Sequence, residues 1–158
     1  MAEEKNKRLV MIASKGSMDM AYIPLIVGST AAAMEMEVAI FFTFYGLDII
    51  NKNKYKSLGV APLANPASPM PVPNIIGVLP GMTMMATTMM KSWMGKQNVA
   101  TIPEMLKMCQ DVGVRMIGCQ MTMDVMGVKK EDLIDGVEIG GAATMLDFAA
   151  DSDISFHI

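Results

Sequence analysis

The sequence predicts a three-layer α/β/α domain on a mostly parallel sheet of four to five strands. Three observations carry this. Its strand candidates are short, continuous apolar runs rather than alternating ones, as strands buried on both faces require. The first two are separated by one helix, and strand–helix–strand spans about 35 residues, the length of a right-handed βαβ unit. Helix start and stop signals then alternate with further apolar runs to the end of the chain.

Leu9–Ser14 is the first strand, closed by Lys15-Gly16-Ser17. Ser17 caps a helix from Met18 to about Met36, with a kink expected near Tyr22 because Pro24 lies inside it. Glu37–Thr43, rich in Val, Ile and Phe, is the second strand. Tyr45–Lys56 reads as a short helix. Six of the eight prolines then fall between Pro62 and Pro80, which forbids helix or central strand and predicts a long loop over the sheet edge. Gly81–Met94 is a Met- and Thr-rich helix with so little polar face that burial is expected. Thr101, Pro103 and Glu104 open the next helix, which ends at Gly113. Val114–Gly118 is the third strand and delivers Cys119; Gln120–Met126 is a short helix closed by Gly127. Lys129–Asp135 is a further helical piece, Asp135–Gly141 a turn or short strand, Ala142–Ala150 a helix and Ile154–Ile158 a last strand.

The chain has 158 residues, which suits one domain spanning 1–158 with a Pro/Met-rich insertion at about 60–95. Thirteen basic and 16 acidic residues give a net charge of −3 and no basic face, which excludes nucleic acid as partner. Hydrophobic residues make up 52% and mean hydropathy is +0.35, so a membrane or a large subunit interface must be weighed. The stretches Met20–Ile50 and Asn74–Trp93 are interrupted by Glu35, Glu37 and Pro24, and by Pro80 and Lys91. Neither offers the roughly 20 consecutive apolar residues of a span, so membrane association is not favoured. The start of the chain lacks a signal-peptide pattern, and a cytoplasmic location is expected. Twenty Met residues are read as core and interface packing, in place of Leu, rather than as thioether copper ligands. An apolar helix such as Gly81–Met94 predicts a homo-oligomer.

Phosphate-loop, dinucleotide and nucleophile-elbow motifs are missing, so no cofactor is expected. The single His, His157, sits in the terminal strand, and neither a Cys–His couple nor a metal site is expected. Chemistry in parallel sheets gathers at the C-terminal strand ends, here Ser14-Lys15-Gly16, Tyr45-Gly46 and Cys119. A sulfur that ends a strand and opens a helix meets unpaired backbone N–H groups, which favour thiolate, the nucleophilic form. Thr122, three residues on, is placed to reach back to the Cys119 backbone; Lys15 and Tyr45 are further supporting candidates. Cys109 is expected to be structural, in a helix whose end lies at the opposite sheet edge.

Gly113-Val114-Arg115-Met116-Ile117-Gly118-Cys119-Gln120-Met121-Thr122-Met123-Asp124-Val125-Met126-Gly127 resembles the strand–Cys–helix segment of the DsrE/DsrF/DsrH-like sulfur-relay family. Leu133-Ile134-Asp135-Gly136-Val137-Glu138-Ile139-Gly140 looks like that family's C-terminal half. The departure is the insertion Pro62–Met94, which resembles a subgroup with hydrophobic segments. The resemblance implies a trimer or hexamer whose Cys119 carries persulfide or thiosulfonate sulfur between partners such as TusA-like and rhodanese-like proteins. Catalyst and carrier both stay open as roles. The alternative is a non-enzymatic membrane-associated or scaffold protein with Met-rich interface helices.

Overall fold

A computed structural model describes residues 6–61 and 79–158. The elements run β1 (Arg8–Ala13), α1 (Met18–Ala33), β2 (Glu37–Phe42), a 3-10 helix (Phe44–Ile49), α2 (Met82–Lys96), α3 (Ile102–Asp111), β3 (Arg115–Cys119), α4 (Gln120–Met126), a 3-10 turn (Lys130–Asp132), β4 (Glu138–Gly140), α5 (Ala142–Ala149) and β5 (Ile154–His157). The five strands form one sheet in the order β4-β3-β2-β1-β5, and every pairing is parallel.

This order explains the layers. From β1 to β4 the chain steps one strand at a time in one direction, so right-handed crossovers put their helices on one face. The β4–β5 connection reverses across the whole sheet and carries α5 to the other face. The packing agrees. Leu9, Met11, Val38, Ile40, Phe42 and Met116 share a core with Ala21 and Leu25 of α1 and Leu106 and Cys109 of α3. On the opposite face Ala39, Phe41, Ile117 and Cys119 pack with Ile12 and with Met145 and Phe148 of α5. Each large side chain so buried contributes about 1.5–3 kcal/mol. At the strand beginnings, the ring of Phe148 has the guanidinium of Arg8 5.3 Å from its centre and that of Arg115 5.8 Å away.

Several expectations need correction. α1 ends at Ala33, not Met36, because Glu35 turns left-handed (φ 64°). The N–H groups of Glu35 and Met36 then bond the carbonyls of Ala32 and Ala31, which closes the helix. α1 runs unbroken through the buried Pro24, and Ser17 occupies the cap position without a side-chain capping bond. The stretch 45–56 is not one helix. A 3-10 segment ends at Ile49 and turns follow, since Asn51 is buried and accepts the Asn53 N–H through its side chain. The piece 129–135 shrinks to a three-residue 3-10 turn, with Asp132 bonded back to the Lys129 N–H. α2 forms as expected, but none of its residues is buried; Met84, Met85, Met89 and Trp93 are exposed. The Pro-rich loop lies, up to residue 78, outside the described residues. Thr101 and Glu104 do open α3: the Glu104 carboxylate accepts both the N–H and the hydroxyl of Thr101, each at 2.7 Å.

Among the described residues no helix is long and apolar enough to cross a membrane.

Candidate functional site

Cys119 is the last residue of β3 and the residue before α4. The register of β2 against β3 sets its neighbourhood. Phe42 pairs with Gly118, so the next residues, Thr43 and Cys119, come level where the two strands end. Strand alternation turns both to the face that carries α5. Thr122, one turn into α4, comes up beneath them and is 1% exposed. Its Oγ1 lies 3.0 Å from Oγ1 of Thr43 and accepts the N–H of Phe44 at 3.2 Å. The extended backbone of Thr43 sets the direction of that N–H, and Phe44 itself is left-handed, φ 47°, a costly conformation for a bulky residue.

Cys119 as a residue is 5% exposed. Burial pushes its pKa up. The opposing donors outweigh this: the hydroxyl and N–H of Thr122, the hydroxyl of Thr43 and the N–H of Met121 together hold it below the ordinary thiol value. α4 has only two turns, so these local groups rather than a long helix account for the lowered value. The spacing predicts a Thr122 hydroxyl bonded to the Cys119 backbone; its partners are instead the Thr43 hydroxyl and the Phe44 N–H, and it helps to lower the Cys119 pKa.

Lys15 and Tyr45 stand on the same sheet edge but are not among the groups that lower the Cys119 pKa. Lys15 follows β1, with β2 between it and β3. It is exposed, as is the Tyr45 ring. The backbone at Tyr45-Gly46 has a structural task. The Gly46 N–H bonds the Ser14 carbonyl at 3.2 Å, and a Cβ on Gly46 would run into the Ala13 carbonyl. This backbone-to-backbone seam fixes the 3-10 helix that presents Thr43 and Phe44. His157 ends β5 opposite Ile12.

Cys109 is fully buried between α3 and α1, and its thiol donates to the Leu25 carbonyl at 3.3 Å. Burial pushes its pKa up to about 11, only partly offset by hydrogen bonds from Ser29. Both cysteines are free thiols.

Thr43 and Phe44 escaped the sequence reading. The available signal was the register rule: residues that follow adjacent parallel strands end up level, so a hydroxyl directly after β2 belongs beside a thiol at the end of β3. A hollow of about 380 Å³ lies elsewhere, lined in part by Met18, Tyr22, Leu58, Lys91, Met94 and Ile102, and Cys119 is not among its walls.

Known proteins share this frame. The E. coli protein ychN, in its crystal structure, superposes with a TM-score of 0.58 over 97% of this chain and 99% of its own. At 13% identity that likeness concerns the fold. The sulfur carrier protein DsrE2 of Allochromatium vinosum is 48% identical over 98% of this chain and 99% of its own length. The uncharacterized protein YrkE of Bacillus subtilis is 30% identical over 98% and 99%. A family profile matches residues 5–157, so the chain belongs to the DsrE/DsrF/DrsH-like family.

Proposed function

We propose that this protein is a carrier in a sulfur relay, and that Cys119 takes and passes sulfane sulfur as persulfide or thiosulfonate. One observation carries the reading: Cys119 closes β3 at the C-terminal edge of a parallel sheet, level with Thr43 and one turn before Thr122, and hydrogen bonding from these neighbours lowers its thiol pKa. The 48% identity to a protein named as a sulfur carrier supports it. In the step from a persulfide donor, the Cys119 thiolate attacks the outer sulfur. A new S–S bond forms, the donor's own S–S bond breaks, and the donor leaves as thiolate with the electron pair. The proton stays on the transferred sulfur, and no outside oxidant is required. TusA-like and rhodanese-like proteins fit as donors and acceptors in the cytoplasm. The exposed Met face of α2 supports a homo-oligomer, trimer or hexamer. Light scattering at the monomer mass of 17.1 kDa would refute that assembly.

Polysulfide or a TusA-like donor should add increments of roughly 32 Da to the Cys119 peptide, read by mass spectrometry. Cys119→Ser should abolish uptake and keep the fold, since Ser is a good helix N-cap and close in size. Uptake that persists in Cys119→Ser but is lost in Cys109→Ser would assign the wrong cysteine. If neither wild-type thiol accepts sulfur, the carrier reading fails.

A further inference from the structure

We infer that Thr43 is a positioning residue for Cys119: its hydroxyl, level with the thiol across the β2–β3 register and bonded to Thr122, fixes the direction in which hydroxyl protons point at the sulfur. This deepens the carrier reading and rests on Cys119 being the acceptor.

Proton counting leads to this role. The Thr122 oxygen already accepts the Phe44 N–H. The two threonine hydroxyls own two protons, and the contact between them at 3.0 Å uses one. Whichever hydroxyl donates in that contact, the other keeps its proton for the sulfur. The hydroxyl that serves the sulfur is itself the acceptor of the first one, which polarises it and makes it a better donor. Thr122 alone would still have a proton to give, but nothing beyond the Phe44 N–H would set its rotation. Thr43 supplies that second anchor: at 3.0 Å its hydroxyl either gives its proton to the Thr122 oxygen or accepts the Thr122 proton and keeps its own for the sulfur. Thr43 is half-buried and sits at the start of the 3-10 helix, held there by its N–H bond to the Ala13 carbonyl at 3.0 Å. Its backbone place therefore does not depend on its hydroxyl, so the hydroxyl can be removed with the chain path kept.

The test is the pH dependence of Cys119 alkylation by iodoacetamide in the native full-length protein, followed by peptide mass spectrometry. Thr43→Val removes the hydroxyl at constant shape, Thr43→Ala removes it without adding a branch, and Thr43→Ser restores it. Val and Ala should move the midpoint upward by roughly half a unit to one unit. The rate at pH 7 should fall about two- to threefold, because the lost thiolate fraction is partly offset by a more nucleophilic thiolate. For the same reason the alkaline plateau should rise, so the variant and wild-type curves cross. Ser should follow the wild type. Loosened packing alone does not produce crossing curves. Val and Ala profiles that superimpose on wild type would overturn the inference, and so would a Ser variant shifted as far as Val. Alkylation does not depend on sulfur loading, so failure of loading defeats the carrier reading and failure of the shift defeats this one.

Discussion

The two thiols of one native chain should differ in alkylation rate by at least about tenfold at pH 7, and much of that contrast can be worked from their surroundings. Cys109, buried between α1 and α3, has its pKa pushed up to about 11, whereas Cys119 lies below the ordinary value of 9.0. At pH 7 the thiolate fraction of Cys109 is about one in ten thousand, and that of Cys119 exceeds about one in a hundred. The gap is at least about a hundredfold. A thiolate of lower pKa is intrinsically less nucleophilic, by a Brønsted slope of about 0.4–0.5, which returns roughly a factor of ten over two units. At least about tenfold remains. Cys109 is fully buried, so reagent also has to wait for α3 to open, which widens the difference further. The assay is a time course with iodoacetamide, digestion, and quantitation of both cysteine peptides. Denaturation before labelling should abolish the contrast. If Cys109 is alkylated as fast as Cys119 in the folded protein, the assignment of one inert and one activated thiol is refuted.

Three other outcomes are expected. The raised pKa of Cys109 makes folding favour its protonated form, so its share of stability is complete below about pH 9 and is lost as pH rises towards about 11. Urea midpoints across that range should fall more steeply for the wild type than for Cys109→Ala; parallel slopes would count against it. Glu35→Gly should raise stability by about 1 kcal/mol, because Glu35 closes α1 at φ 64°, where a side chain is strained and glycine is not. A lowered thermal midpoint would contradict this. Gly46→Ala should cost about 2–3 kcal/mol, since the new Cβ meets the Ala13 carbonyl and two backbones must part. It should also slow Cys119 alkylation by displacing Thr43 and Phe44; an unchanged midpoint and rate would show that the seam does not hold the site.

The sequence by itself determined the layers and the order of the strands along the chain. Continuous apolar runs such as Leu9–Ala13 and Val38–Phe42 have no polar side, so they have to be central parallel strands with helices over both faces. Helix boundaries were legible where the signal is chemical and local: Gly127 closes α4 at φ 65°, and Glu104 clasps Thr101 at the start of α3. Legibility ended where a distant group decided. The stretch after β2 has helical composition, yet it is held as 3-10 helix and turns by the Ser14 carbonyl and by Asn51, which bridges to Leu133 far along the chain. The exposure of α2 depends on what lies beside it in space, which its own apolar pattern does not encode. Cys119 was readable as a strand-end thiol facing the N–H groups of a helix start, but its Thr43 neighbour was not. Thr43 is 76 residues away in the sequence, and only the pairing of Phe42 with Gly118 brings it level. Thr122 was readable by spacing but given the wrong partner, because a threonine hydroxyl in the first turn of a helix can turn to the backbone or outward. The Phe44 N–H and the Thr43 hydroxyl, both supplied by the neighbouring strand end, decided which.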